Sequence, residues 1–283
     1  MSKTFRLTLS CPDRPGIVAR ISALLLEHGA NILEAQQFDD VETGRFFMRI
    51  VFESPGDIEA MEDALAEAGR GFDMDLEIHD AAQRKRVLML VSKLDHCLGD
   101  LLYRYRIGEL EMDVVGVVSN HPKEALNLTT IGDIPYHHLP ITSETKPQQE
   151  AQIRQIIETT GAELVVLARY MQVLSDEFSA YLAGRCVNIH HSFLPGFKGA
   201  KPYHQAHARG VKMIGATAHF VTADLDEGPI IVQDVEQVSH SDTPDDMVRK
   251  GRDIERRVLA RAVRYLLEDR VMINDRKSVV FAA

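Results

Sequence analysis

The sequence predicts an α/β protein in two parts, a βαββαβ unit at the N-terminus followed by a doubly wound, mostly parallel sheet. Three observations carry this. Between Phe5 and His79, four segments of alternating polarity are interrupted by two stretches with helical spacing of apolar residues. Further on, Val87–Val91, Val114–Val118 and Leu164–Ala168 are short unbroken apolar runs, the pattern of strands buried on both faces of a parallel sheet. Between the two regions lies the polar joint Ala81-Ala82-Gln83-Arg84-Lys85-Arg86, which sets the expected domains at 1–83 and 84–283.

In order, Phe5–Ser10 alternates as a strand and Cys11-Pro12-Asp13-Arg14-Pro15-Gly16 breaks it with two prolines and a glycine. A helix follows, with Ile17, Ile21, Leu24, Leu25 and Leu26 as its apolar stripe and Gly29 as its stop. Asn31–Phe38 and Arg45–Phe52 read as strands joined by a turn, Asp57–Ala68 as a second helix, and Phe72–His79 as a fourth strand. This order is the split-βαβ plan. In the second part, helices are expected at Gly99–Arg106 and Gln148–Thr160 between the apolar runs, which is the alternation of a doubly wound sheet. A long charged helix is expected from Thr243 through Leu267, with Ile254, Val258, Ala262 and Leu266 on one face.

Composition narrows the function classes. The chain has 283 residues, 45% hydrophobic and 26% charged, enough to bury a sizeable core. A formal net charge of -10 argues against a nucleic-acid binder, because phosphate backbones are held mostly by Lys and Arg. Cys11, Cys97 and Cys186 are far apart and form no CxxC pair, so neither a disulfide framework nor a thiolate metal site is expected. Met1-Ser2-Lys3-Thr4 opens without the apolar run of a signal peptide, and no stretch approaches the ~20 apolar residues of a membrane helix. The expectation is a cytoplasmic protein without membrane or nucleic-acid partners.

Chemistry concentrates in two segments. In Cys186-Val187-Asn188-Ile189-His190 the alternation puts Asn188 and His190 on one face, at the end of a strand where open α/β sheets bind ligands. Downstream, Ala218–Pro229 can bring His219 and Asp226 to the same rim. A carboxamide, an imidazole and a carboxylate together can polarise a carbonyl, hold an oxyanion and accept a proton. Ser192 lies in no GxSxG elbow, which weakens a serine-hydrolase reading. His190, His191, His204, His207 and His219 show no HExxH or Cys/His spacing, so no metal is expected.

Two resemblances follow from these residues. Asp13-Arg14-Pro15-Gly16-Ile17-Val18 and His28-Gly29-Ala30-Asn31-Ile32 resemble an ACT domain, a ferredoxin-like βαββαβ unit. That likeness implies a regulatory or assembly role, with Asp13, Arg14, Pro15, Gly16 and Asn31 as a possible ligand loop. Glycine or methionine would be the effectors, and a dimer or tetramer the assembly. From Arg86 onward, Asn188-Ile189-His190, Ser192-Phe193-Leu194-Pro195, Lys198-Gly199, His219-Phe220-Val221 and Asp226 with Gly228-Pro229-Ile230-Ile231 resemble the formyltransferase fold that uses 10-formyltetrahydrofolate. The resemblance implies Asn188, His190 and Asp226 as the catalytic trio, with His219 supporting the aspartate. It also implies a pterin pocket lined by Leu167–Leu174, including Met171, Gln172 and Leu174, and closed by the Val221–Asp226 loop with Val221, Thr222 and Asp224.

Ser92–Asp100 departs from the transferases of that fold. Leu94, Asp95, His96 and Cys97 stand where a Gly- and Ser-containing loop would hold an acceptor's phosphate. With the double His190-His191, the Gly199–Gln205 run and the ACT-like unit, the chain resembles the formyltetrahydrofolate deformylase family. This implies hydrolysis of 10-formyltetrahydrofolate to formate and tetrahydrofolate, with no prosthetic group, and so a formate supply that balances the one-carbon folate pool and feeds purine biosynthesis. His191 would be a further contact to the water. The alternatives are a formyltransferase to a small amine such as glycinamide ribonucleotide and a non-catalytic amino-acid and folate sensor.

Overall fold

The computed structural model describes residues 2–55, 58–127, 131–196 and 202–282, and the chain divides into two compact units. The first comprises Met1–Arg84 with Glu268–Met272 and Val279–Ala283, the second Lys85–Leu267 with Ile273–Ser278.

In the first unit the order is β1 (Lys3–Pro12), α1 (Ile17–Glu27), β2 (Asn31–Asp40), β3 (Arg45–Ser54), α2 (Glu59–Phe72) and β4 (Asp75–Asp80). The strands form an antiparallel sheet in the order β2-β3-β1-β4. Period-two alternation puts Phe5, Leu7 and Leu9 of β1 on one face with Met48, Ile50 and Phe52 of β3, where they pack against Ile21, Leu25, Met61 and Leu65 of the helices. Arg49 faces the other way and is 2% exposed. Its guanidinium donates to the Glu268 carbonyl at 3.0 and 3.2 Å and to Glu34 at 3.0 Å, so a buried charge keeps its partners. The fourth strand starts later than its alternation predicts. Phe72 ends α2, Asp73 turns left-handed at φ 54, and the Met74 N–H closes on the Gly69 carbonyl, so residues 72–74 form a helix stop. Asp57, the expected start of α2, lies outside the described residues.

The second unit runs β5 (Lys85–Val91), α3 (His96–Arg106), β6 (Met112–Ser119), β7 (Tyr136–His138), α4 (Lys146–Thr160), β8 (Leu164–Leu167), α5 (Asp176–Tyr181), β9 (Cys186–His190), α6 (Pro202–Arg209), β10 (Met213–Phe220), β11 (Ile230–Gln237) and α7 (Pro244–Leu267). Its seven strands lie in the order β11-β10-β9-β8-β5-β6-β7. The pairings from β9 to β7 are parallel, whereas β10 runs antiparallel to both β9 and β11. Leu88, Leu90, Val165 and Leu167 pack with Ile153 and Ile157 of α4, Phe178 of α5 and Leu182 just after it. Helix α7 lies along β9, β10 and β11 and against α3. The chain ends in a hairpin, β12 (Val271–Asn274) and β13 (Lys277–Val280), for which the sequence pattern predicts no element. No helix among the described residues is long and apolar enough to cross a membrane.

Candidate active site

The site starts at β9. Asn188 and His190 leave the same face, two residues apart, as the alternation requires. Because β10 is antiparallel, His219 sits directly across from Asn188 in the ladder, and Thr217 across from His190. His219 is therefore a cross-strand neighbour of Asn188, not a residue at the end of a parallel strand. The chain then loops back. The Phe220 N–H bonds the Pro229 carbonyl at 2.9 Å, and the Val221 N–H bonds the Cys186 carbonyl at 2.9 Å. A side chain at Gly228 would overlap the Phe220 carbonyl, so only glycine lets the loop close there. Asp226 takes a left-handed φ of 58. Its Oδ1 lies 3.2 Å from His190 Nδ1 and 3.8 Å from His219 Nε2.

Hydrogen bonding fixes the roles these groups can take. His219 Nδ1 donates to the Phe220 carbonyl at 2.8 Å, so in the neutral ring Nε2 is the acceptor. Burial lowers the His219 pKa and keeps the ring neutral, although the Phe220 carbonyl and Asp226 favour its proton. Asn188 Nδ2 donates to that Nε2 at 3.2 Å, which fixes the amide and leaves its second N–H. For Asp226, burial raises the pKa, but the His190 hydrogen bond and the nearby His190, His219 and His191 outweigh it. The carboxyl is held below its ordinary value and stays ionised. His190 is 6% exposed, and its Nε2 is buried with no hydrogen-bond partner among the described residues.

A cleft of about 240 Å³ opens over these groups. The sequence-predicted pocket residues Met171, Gln172, Leu174, Val221 and Thr222 line it, with Asn188, His190, His191, His219 and Asp226. Asp224 does not. It is exposed, and its carbonyl accepts from the Thr222 hydroxyl at 3.0 Å and the Glu227 N–H at 3.3 Å, so its part is to shape the turn. Lys198, Gly199, Ala200 and Lys201 of the sequence motifs lie outside the described residues. In the first unit, the Asp13 N–H bonds the Gly44 carbonyl, Arg14 donates to the Gly71 carbonyl at 2.6 Å and covers the Phe72 ring, and Gly16 precedes α1 at φ 99. Asn31 is exposed at the start of β2, opposite Glu53.

Sequence reasoning misses a second polar group behind the cleft. Arg169, left-handed at φ 66 just past β8, is 7% exposed, and its Nη1 lies 2.7 Å from His191 Nδ1. Its Nε lies 3.3 Å from Oε2 of Glu255, a carboxylate 1% exposed on α7. Glu255 also accepts from His96 Nε2 at 2.8 Å and from the Tyr203 hydroxyl at 2.7 Å. A side chain at Gly251 would overlap the Tyr203 ring, so the glycine one turn before Glu255 makes room for that contact. Ser92, at the end of β5, ties the segment down by accepting from the Met171 N–H at 3.0 Å and donating to Asn120 Oδ1 at 2.7 Å. One signal in the sequence bears on this group: Gly251, Glu255 and Leu259 recur at helical spacing beside the apolar stripe of α7. His96, Cys97 and Glu255 each bring a metal-ligating atom within 4.8 Å of the others. Burial pushes the Cys97 thiol well up, and Glu255 already accepts from His96 and Tyr203 and pairs with the Arg169 charge, so its oxygens are engaged within the protein.

Comparison with known proteins agrees with both halves of the sequence reading. Residues 85–263 match the family model described as formyl transferase, and residues 5–70 match that described as ACT domain. A formyltetrahydrofolate deformylase of Corynebacterium sp. (strain P-1) is 49% identical over 277 residues, covering 97% of this chain and 96% of that one. The crystal structure of a formyltetrahydrofolate deformylase from Burkholderia mallei superposes with a TM-score of 0.95 at 56% identity, covering 99% of this chain and all (100%) of that one. One from Pseudomonas putida gives a TM-score of 0.93 at 51% identity, covering 98% and 100%.

Proposed function

The chain belongs to the formyltetrahydrofolate deformylases, hydrolases that split 10-formyltetrahydrofolate into formate and tetrahydrofolate, and from that premise we propose how its residues divide the reaction. The observation that carries the reading is the Asn188–His190–Asp226 cluster, with a buried His190 Nε2 that has no protein partner among the described residues. The pterin enters the cleft along Met171, Gln172, Leu174, Val221 and Thr222. Its formyl oxygen takes hydrogen bonds from Asn188 Nδ2 and from His190 Nε2. Both contacts strengthen as the carbonyl becomes an oxyanion. His190 Nδ1 engages Oδ1 of Asp226, which leaves Oδ2 to take a proton from water as its oxygen adds to the formyl carbon. The C–N bond then breaks, and that proton, returned through Asp226, ends on the departing amine nitrogen. His219 acts by holding the Asn188 amide and placing a neutral ring beside Asp226.

Water as the acceptor suits the segment after β5. Asp95 is buried, and its carboxylate accepts the Asn127 N–H at 2.5 Å, while His96 is held by Glu255 at 2.8 Å. A phosphorylated amine would meet side-chain bulk and two buried carboxylates there. The purified protein should therefore release formate from 10-formyltetrahydrofolate at full rate with no amine present. Glycinamide ribonucleotide at ~1 mM, a generous concentration for an enzyme substrate, should neither accept the formyl group nor slow the release. Formylation of the amine faster than formate appears would transfer the chain to the transferases.

The ACT unit fits a small effector, with the Asp13–Gly16 loop and Asn31 as its ligand loop and glycine or methionine as ligands. Either should shift substrate affinity by a coupling of ~1–3 kcal/mol. If calorimetry detects binding of neither, the unit is an assembly module, and a dimer or tetramer in sedimentation would be its function. The expected setting is the cytoplasm.

A further inference from the structure

The polar group behind the cleft serves the proposed hydrolysis, and its role rests on that assignment of Asp226 and His190. An arginine side chain has only donors, so the 2.7 Å contact from Arg169 Nη1 requires His191 Nδ1 to be an acceptor. In a neutral imidazole the proton must then sit on Nε2. His191 lines the cleft with Asp226 and His190, and its Nδ1 is taken, so Nε2–H is the only ring group it can offer to a ligand. We propose that Arg169 and Glu255 are positioning residues that lock His191 as a one-way hydrogen-bond donor to the oxygen of the attacking water. An Nε2–H donor cannot take the water's proton. It can hold the oxygen through a hydrogen bond, which turns the O–H toward Asp226. The proton goes to the Asp226 carboxylate, the O–C bond forms at the formyl carbon, and His191 ends the step as it began, neutral.

The charged groups around the ring pull both ways, and the neutral state prevails. Arg169 reaches it from the end of β8, and His190 stacks on it with ring centroids 5.1 Å apart. Tyr203 on α6 has its ring centroid 6.4 Å away, and Asp226 lies on the loop after β10. Glu255 on α7 holds Arg169 and is itself held by His96 of α3 and by Tyr203. Burial, followed by Arg169 and then His190, lowers the His191 pKa to about 4 against the opposing pull of Glu255 and Asp226. The ring therefore stays neutral where a free histidine begins to charge. Glu255 balances the Arg169 charge, so the guanidinium stays buried and aimed.

The test separates donor from base. A glutamine amide reaches the position of Nε2 and an asparagine amide that of Nδ1. His191→Gln should keep formate release within about tenfold of wild type, whereas His191→Asn and His191→Ala should lose about a hundredfold in kcat with little change in KM. Equal losses in all three would sink the donor role. Nitrogen-15 NMR of labelled histidines in the full chain, with His191 assigned by its loss in His191→Gln, should show neutral Nε2–H at His191 from about pH 5.5 to 8.5. Arg169→Met should let the ring mix tautomers and titrate higher than in wild type, though still below the ordinary histidine value because burial remains, and lower kcat by at least about tenfold. Arg169→Lys should restore part of both. An Nδ1–H tautomer in wild type, or Arg169→Met with unchanged tautomer and rate, would overturn the proposal. If Arg169→Met does not fold, the Gln, Asn and Ala series and the wild-type spectrum decide alone. A wild type with the expected tautomer and no formate release would refute the hydrolytic roles assigned to Asp226 and His190 and leave the lock intact.

Discussion

Asp226 and Glu255 are two carboxylates in one unit, each beside histidine and each held below its ordinary pKa against the opposing effect of burial. They differ in how far their bonding is satisfied. Glu255 is 1% exposed and accepts from His96 and Tyr203 with Arg169 at its side, so both oxygens are engaged. Asp226 is only partly buried, has its histidine contacts on Oδ1, and borders a cleft. A saturated carboxylate holds other side chains in place. An unsaturated one at a cleft can exchange a proton, because its free lone pairs cost little to re-partner with substrate or water.

The sharpest way to break that distinction is to remove each charge while keeping its shape. Asp226→Asn should cut formate release by about two orders of magnitude or more while folate affinity changes little and stability falls less than it does at Glu255. Single-turnover kinetics and equilibrium binding would show it, and near-normal turnover would remove the aspartate from the reaction. His190→Ala should lose comparably, about 10²–10³ in rate, through the oxyanion contact. Glu255→Gln should do the reverse. It leaves Arg169 buried without its counter-charge, so urea unfolding should report a loss of about 3–5 kcal/mol, with a smaller effect on turnover. Should Glu255→Gln unfold at the wild-type midpoint, the saturated carboxylate would not be holding the group together.

How much of this was legible follows the same division. The buried strands announced themselves, because Val87–Val91 is apolar at every position and fully covered. The Asn188, His190 and Asp226 cluster was legible because its members lie in short motifs with local alternation. The direction of β10 was not, since alternation is the same in a parallel and an antiparallel strand, and the pairing of His219 with Asn188 depends on that direction. Arg169 and Glu255 are 86 positions apart (255 − 169) with no local period linking them. Arg169 falls within the Leu167–Leu174 segment expected to line the pocket, but nothing in the sequence points from it to Glu255, and only the packing of α7 brings them together. The grouping of Glu268–Met272 and Val279–Ala283 with the first unit was hidden for the same reason: the Arg49 contact to the Glu268 carbonyl is made by main chain, which carries no sequence signal.

The mildest test uses pH, and its sign follows from which state binds more protons. The His191 pKa falls from 6.5 to about 4 on folding, with burial and then Arg169 as the main causes. Between those values the unfolded chain takes up a proton that the folded ring refuses. Stability therefore rises with pH across that window, by at most about 1.4 kcal/mol per pH unit for one group. His219, also lowered mainly by burial, adds in the same direction. The carboxylates act lower. With folded pKa values depressed, the stability they contribute is present above their unfolded values, near pH 4, and is lost as pH falls through the folded ones. Urea midpoints of wild type should thus decline from about pH 6.5 downward and fall further below about pH 4. His191→Gln, which cannot titrate, should flatten the upper part of that slope and leave the lower part in place, whereas Glu255→Gln should reduce the lower part. A His191→Gln curve parallel to wild type through the upper window would mean that the ring is not held neutral, and that Arg169 bears on it less than their 2.7 Å contact requires.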